Sequence, residues 1–190
     1  MQHPYWGRAI SLLACAILST PAFAAGQTEG KRAEIRTNWL EGDADSRARF
    51  KAIQDKPARA LEVQNWINSD ALTLASLKGK VVLIDFWGTW CPPCLAQIPR
   101  NNQLHEKYKE KGLAIVGVCH TDGAETMGDI VKEKGIKYPV AADIDLKTSR
   151  AYLAGEYPQY YLIDRGGNLR ICSINEESLE DAVKALLQEP

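Results

Sequence analysis

The 190-residue sequence has no excess of charge of either sign. Its 23 Lys and Arg against 24 Asp and Glu give a formal net charge of −1. That balance points neither to nucleic acid nor to an anionic membrane surface as a partner. Histidine is scarce, with 3 in the chain. Neither His105 nor His120, which follows Cys119, stands at a spacing that assembles a coordination shell with the other cysteines, so no metal centre is expected. No internal repeat appears. The apolar stretch Ala9 to Ser19 is too short to cross a bilayer comfortably. What remains is ordinary globular composition, 45% hydrophobic and 25% charged, with a length suited to one domain plus appendages.

The first 24 residues read as a secretory leader: Arg8 supplies the positive region, Ala9 to Ser19 the apolar core, and Ala22-Phe23-Ala24 a small-residue cleavage site. A periplasmic or other extracytoplasmic location is therefore expected. Leu12-Leu13-Ala14-Cys15 is also similar to a lipoprotein cleavage box. The apolar stretch before Cys15 is very short and continues beyond it, so cleavage after Ala24 is favoured over lipid anchoring at Cys15. Residues 25–190 then keep Cys91, Cys94, Cys119 and Cys172, in a compartment where disulfides persist. Residues 25–60 are polar, with isolated Ile35, Trp39, Leu40, Phe50 and Ile53 that commit to no single amphipathic face. This segment is expected to be a linker, or a helical extension docking through Trp39 and Phe50. The main domain is expected over 61–190.

Within that domain Val81, Val82, Leu83, Ile84 and Phe86 form a short apolar run rich in β-branched and aromatic residues, the pattern of a strand covered on both faces. Gly88 and Thr89 break it. Leu95, Ile98 and Leu104 then recur at helical spacing, with Pro92 and Pro93 where a first turn tolerates missing N–H groups. Cys91 thus falls at a helix N-terminus, where the dipole favours a thiolate. Leu61 to Ile67 reads as an edge strand and Leu113 to Cys119 as a buried one. Thr121 or Asp122 is the expected cap of a helix bearing Met127, Ile130 and Val131. A short strand over Tyr138 to Ala142 and a brief helix from Asp145 to Tyr152 follow. Gln159 to Ile163 and Leu169 to Ser173 read as a hairpin, and Asn175 caps a last helix with Leu179, Ala182, Val183 and Leu186 on one face. This order predicts an α/β sandwich with a central mixed β-sheet flanked by helices.

The segment Asp85-Phe86-Trp87-Gly88-Thr89-Trp90-Cys91-Pro92-Pro93-Cys94, with Pro99 five residues beyond, closely resembles the active site of thioredoxin-fold proteins. Within that fold it resembles the TlpA/ResA-like extracytoplasmic thiol:disulfide oxidoreductases. The resemblance implies a thioredoxin-like sandwich, a redox-active Cys91–Cys94 disulfide and no other cofactor. Cys91, expected to be the more exposed thiol, would attack a substrate disulfide, and buried Cys94 would resolve the mixed disulfide. Asp85 matches the buried acid that exchanges a proton with Cys94, and burial in an apolar strand should raise its pKa. Many members carry Glu where Gln97 stands; Gln97 cannot ionise, which leaves the proton work to Asp85. Tyr157-Pro158 occurs where the family places its cis-proline loop, whose free backbone can pair with an extended substrate. Trp90, Pro92, Pro93, Tyr157 and Pro158 are the residues expected to meet substrate, while Trp87 packs.

Two prolines remove helix-start donors and no histidine lies between the cysteines, so Cys91 should titrate near ~7 rather than the ~3.5 of strong oxidants. Such a couple is reducing. The expected partners are protein disulfides and a membrane thiol electron donor, with cytochrome c maturation a family-level possibility. Alternatives are a disulfide oxidase or isomerase, a peroxiredoxin-like peroxidase and a non-catalytic copper-handling module. The peroxidase lacks its expected threonine and cysteine arrangement around Cys91. Cys119 and Cys172 should lie two strands apart, beyond disulfide reach, as buried free thiols.

Overall fold

The computed structural model describes residues 1–2 and 32–190. Apart from Met1 and Gln2, the leader expected over 1–24, with Cys15, lies outside the described residues. Seven strands, β1 (Lys56–Pro57), β2 (Gln64–Ile67), β3 (Val81–Trp87), β4 (Leu113–Cys119), β5 (Val140–Ala142), β6 (Gln159–Ile163) and β7 (Asn168–Ile174), form one mixed sheet in the order β1-β7-β6-β3-β4-β5-β2. Five α-helices accompany it: α1 (Ala44–Phe50), α2 (Pro92–Tyr108), α3 (Met127–Lys134), α4 (Lys147–Tyr152) and α5 (Leu179–Leu187). The fold is the expected thioredoxin-like sandwich.

Central β3 is buried along its whole length, parallel to β4 and antiparallel to β6. Its side chains alternate between two cores. Val81, Leu83 and Trp87 face Ile98 and Leu104 of α2, Met127 and Val131 of α3, and Ala182, Val183 and Leu186 of α5. Val82, Ile84 and Phe86 face Phe50 of α1, Tyr152 of α4 and Tyr161. Burying each such large apolar side chain contributes roughly 1.5–3 kcal/mol, which makes this strand the best anchored part of the chain. Because parallel β3 and β4 need a crossover, α2 must start directly above the C-terminal end of β3. That geometry puts the cysteine pair there.

α2 gives way to a 3-10 turn that closes at Gly112, whose φ of 97° suits a residue without Cβ. The expected cap on the next helix is corrected: α3 starts at Met127, after a 3-10 turn over Ala124–Thr126, and neither Thr121 nor Asp122 caps it. Asp122 instead serves the turn beside the disulfide with its backbone, its N–H donating to His120 Nδ1 at 3.0 Å and its carbonyl accepting from Trp90 Nε1 at 2.9 Å. Asn175 does take the expected capping position, accepting from Ser178 N at 2.9 Å in the turn that leads into α5.

Residues 37–57 wrap the β7 edge. Leu40 bridges to Ile174, Trp39 is buried on the α2 side, Phe50 on the α4 side, and β1 pairs with β7. Pro57 occupies an edge strand, where a missing N–H is tolerated. Cys119 and Cys172 are buried free thiols on strands with β3 and β6 between them.

Candidate active site

β3 ends at Trp87, and Gly88-Thr89-Trp90 turns the chain into α2. Gly88 lets the indole lie close: a Cβ there would sit 3.0 Å from Trp90, tighter than ordinary packing. Thr89 Oγ1 donates to Gly123 O at 3.1 Å, so the turn and the 120–126 loop brace each other. Cys91 is the N-cap of α2, followed by Pro92 and Pro93 at the first two helical positions. The prolines have no N–H, and the Cys94 N–H, next in line, points at Cys91 Sγ at 3.3 Å. Cys91 and Cys94 are joined as a disulfide with their Cα atoms 5.3 Å apart.

The expectation that Cys91 is the more exposed thiol is corrected in this oxidised state. Cys91 is 2% and Cys94 4% exposed, so both are buried. The cause is local: as N-cap, Cys91 folds its sulfur back over the first turn of α2 toward Cys94. What faces solvent beside the disulfide is Trp90, 52% exposed, with exposed Pro92 and Pro93. Trp90 belongs to an edge-to-face trio in which His120 lies 5.6 Å from Trp90 and 5.3 Å from Tyr157 between ring centroids. The Tyr157–Pro158 peptide is cis, and both residues are half-buried. Asp143 supports this loop from below, taking the Ser149 hydroxyl at 2.7 Å, which in turn lies 3.4 Å from the Tyr157 hydroxyl.

By the alternation of β3, Asp85 points to the α2 side, where it is 3% exposed. Tyr138 Oη donates to its Oδ2 at 3.1 Å and Asn101 Nδ2 at 3.0 Å, while Oδ1 has no partner among the described residues. Burial pushes this carboxyl up to about 7, against the two hydrogen bonds, and the charge of Glu176 adds to the rise. Cys94, Ile98 and Asn101 are the buried face of α2 over the same side of the sheet. The redox pair and Asp85 are therefore served by one helix face. Burial likewise pushes the Cys119 thiol up to about 12, so it stays protonated.

Several of these neighbours were not singled out from sequence. Asn101 carried a signal, since it is the one amide in the stripe Cys94, Ile98, Asn101, Leu104. Tyr138 and Tyr160, whose hydroxyl lies 3.3 Å from Asn101 Nδ2, read only as strand residues. Glu176 looked like a first-turn acid, yet its carboxylate accepts from Gln97 Nε2. Among the described residues, no group of three or more His, Cys, Asp or Glu is placed to hold a metal ion.

Comparison with known proteins agrees with this geometry. Residues 55–171 match the model of the AhpC/TSA family. The thiol-disulfide oxidoreductase ResA of Bacillus cereus is 36% identical over 135 residues, covering 69% of this chain and 78% of that protein. A thioredoxin-like superfamily protein superposes with a TM-score of 0.64 at 30% identity, over 71% of this chain and 98% of that one. A thiol-disulfide isomerase from Corynebacterium glutamicum gives a TM-score of 0.64 at 27% identity, over 72% and 99%. Because the matched span runs from β1 through β3 and the disulfide to the cis-proline loop, the chain belongs to the AhpC/TSA family and is a thiol-disulfide oxidoreductase of the thioredoxin-like fold.

Proposed function

We propose that this oxidoreductase is exported and works as a reductase of protein disulfides, kept reduced by a membrane thiol donor. The observation that carries the chemistry is a buried carboxyl, Asp85, raised to about 7 on the α2 side of β3, the side on which Cys94 is buried. Cys91 thiolate attacks one sulfur of the substrate disulfide; a Cys91–substrate bond forms and the other substrate sulfur leaves as thiolate. Cys94 then gives its proton to Asp85 and attacks Cys91 Sγ. The Cys91–Cys94 bond forms, the Cys91–substrate bond breaks, and the second substrate sulfur leaves with the electron pair. Two electrons pass from the dithiol to the substrate, and the donor restores them by the reverse exchange.

Trp90, Pro92, Pro93, Tyr157 and Pro158 would meet the substrate, with the backbone before Pro158 free to pair with an extended segment. A reducing direction is supported by the two prolines and by the absence of a histidine between the cysteines, which leave the Cys91 thiolate few stabilising donors. Export rests on the leader pattern of residues 1–24 and places the enzyme in the periplasm or an equivalent compartment; cytochrome c maturation is one pathway it would serve there. In the same reading residues 25–60 are an extension of the 61–190 domain, and its described part, from residue 32, docks through Trp39 and Phe50. Insulin reduction by the dithiol, with equilibration against glutathione, tests the function: no reduction by the Cys91/Cys94 dithiol defeats it. N-terminal sequencing of the protein from the cell envelope tests export, and a chain still starting at Met1 defeats that part.

A further inference from the structure

Two amide side chains of α2, one turn apart, each hold a carboxylate. Asn101 donates to Asp85 Oδ2, and Gln97 donates to Glu176 Oε2. Gln97 follows Cys94 by three positions and precedes Asn101 by four, so all three lie along one flank of the helix. The sheet register brings the two acids together from below: Asp85 pairs with Tyr160, Tyr160 pairs with Ile174, and Glu176 follows two residues later. Asp85 is sealed in the core and Glu176 is half-exposed. Neither forms an ion pair among the described residues. A carboxylate clamped by an amide, with no cation, keeps its field.

We propose that Glu176, held against α2 by Gln97, is a positioning residue for the proton on Asp85: its negative charge keeps that proton in place and so sets the pH range over which Cys94 is deprotonated for resolution. The inference rests on Asp85 being the proton acceptor of Cys94. Its electrostatic surroundings are consistent. Asp85 is faced by Tyr138, by Tyr160 of β6 and by Cys119 of β4, all held neutral by burial, and by the Cys91–Cys94 pair on α2. Glu176 acts on Asp85, on Tyr160 and on Glu41, whose own carboxyl is raised first by burial, then by Glu176 and by Glu156 beside the cis-proline loop. Arg100 of α2 is the opposing charge felt at Tyr160. Among the described residues Glu176 is thus the charged side chain that acts on Asp85, and it is fixed directly to α2 through Gln97.

The test follows Asp85 by carbon-13 carboxyl titration in the reduced protein, together with the pH profile of single-turnover release from the Cys91 mixed disulfide. Glu176→Gln should move both midpoints to lower pH, because removing a negative neighbour favours ionised Asp85, and should speed resolution on the acid side of the profile. Gln97→Ala, which frees the Glu176 carboxylate to swing into water, should move them the same way by less. An Asp85 midpoint unchanged in Glu176→Gln, while Asp85→Asn still slows resolution, overturns the inference and leaves the role of Asp85 intact. A midpoint that falls while Asp85→Asn resolves at the wild-type rate supports the coupling and removes the role of Asp85 instead.

Discussion

The two ends of the sheet both bury ionisable groups and treat them in opposite ways. At the end where β3 begins, the Arg170 guanidinium is 3% exposed and meets Glu189 at 2.7 Å and 2.8 Å, Asp55 at 3.3 Å and Asp164 at 3.7 Å. Arg170 also donates to Ala33 O, while Ala33 N donates to Glu189, so the cluster ties the described start of the chain to its C-terminus. At the redox end Asp85 is as deeply buried, with tyrosine hydroxyls and an amide around it and, among the described residues, no ion-pair partner. A compensated buried charge holds segments together; an uncompensated one holds a proton loosely near neutral pH. The cost of the second arrangement follows from linkage. Below about pH 4 Asp85 is protonated in both folded and unfolded chains; as pH rises to about 7 only the unfolded chain ionises, and stability falls by roughly 4 kcal/mol, staying level above.

The sharpest break between the two ends is covalent. Cys94→Ala should accumulate mixed disulfides with partner proteins and Cys91→Ala should not, because Cys91 makes the first attack; equal trapping on non-reducing gels would remove the role assignment. Next in size, Arg170→Ala takes the buried cation away from Glu189 and Asp164, while half-exposed Asp55 keeps Arg32 at 3.0 Å, and should cost about 3 kcal/mol in urea unfolding while leaving the Cys91–Cys94 potential in place. A loss below 1 kcal/mol would mean that the cluster is solvated in solution and the contrast is false. Asp85→Asn should do the reverse, slowing resolution yet stabilising the fold above pH 7 by up to roughly 4 kcal/mol, with no gain below about pH 4. Urea melts at the two pH values that show the same difference would place the Asp85 carboxyl in its ordinary range. The smallest effect concerns the couple itself. The wild-type potential should lie nearer ~−270 mV than ~−120 mV, and Pro93→His should raise it by adding charge beside Cys91. A wild-type value above about −160 mV would make the enzyme an oxidase or isomerase.

Much of the fold was legible because its signals are local. The β-branched run Val81 to Ile84, the prolines at the head of α2 and the one-faced apolar pattern of α5 each constrain the chain within a few residues, and β3, β4, β6, α2 and α5 stand where they read, while β2, β5 and α4 begin two or three residues later than expected. The extension was less legible: Trp39 and Phe50 show no period because they bury on opposite sides of the sheet. The cap of α3 was misread because Gly123, in the left-handed region, and the 3-10 turn over Ala124–Thr126 delay the helix to Met127, beyond the reach of Thr121 and Asp122.

The amino-acid sequence by itself determined the redox pair, its place at a helix start just after a buried strand, and the single acid in that strand, since each is a matter of neighbours along the chain. Only the tertiary structure decided what that acid experiences. Its partners Asn101 and Tyr138 come from 16 and 53 residues away, and Glu176 reaches Gln97 across 79. The burial that raises Asp85, and that hides the sulfur of Cys91 in the disulfide, exists only once the strands and helices pack. Desolvation and charge coupling depend on distance in space, which local sequence patterns do not encode.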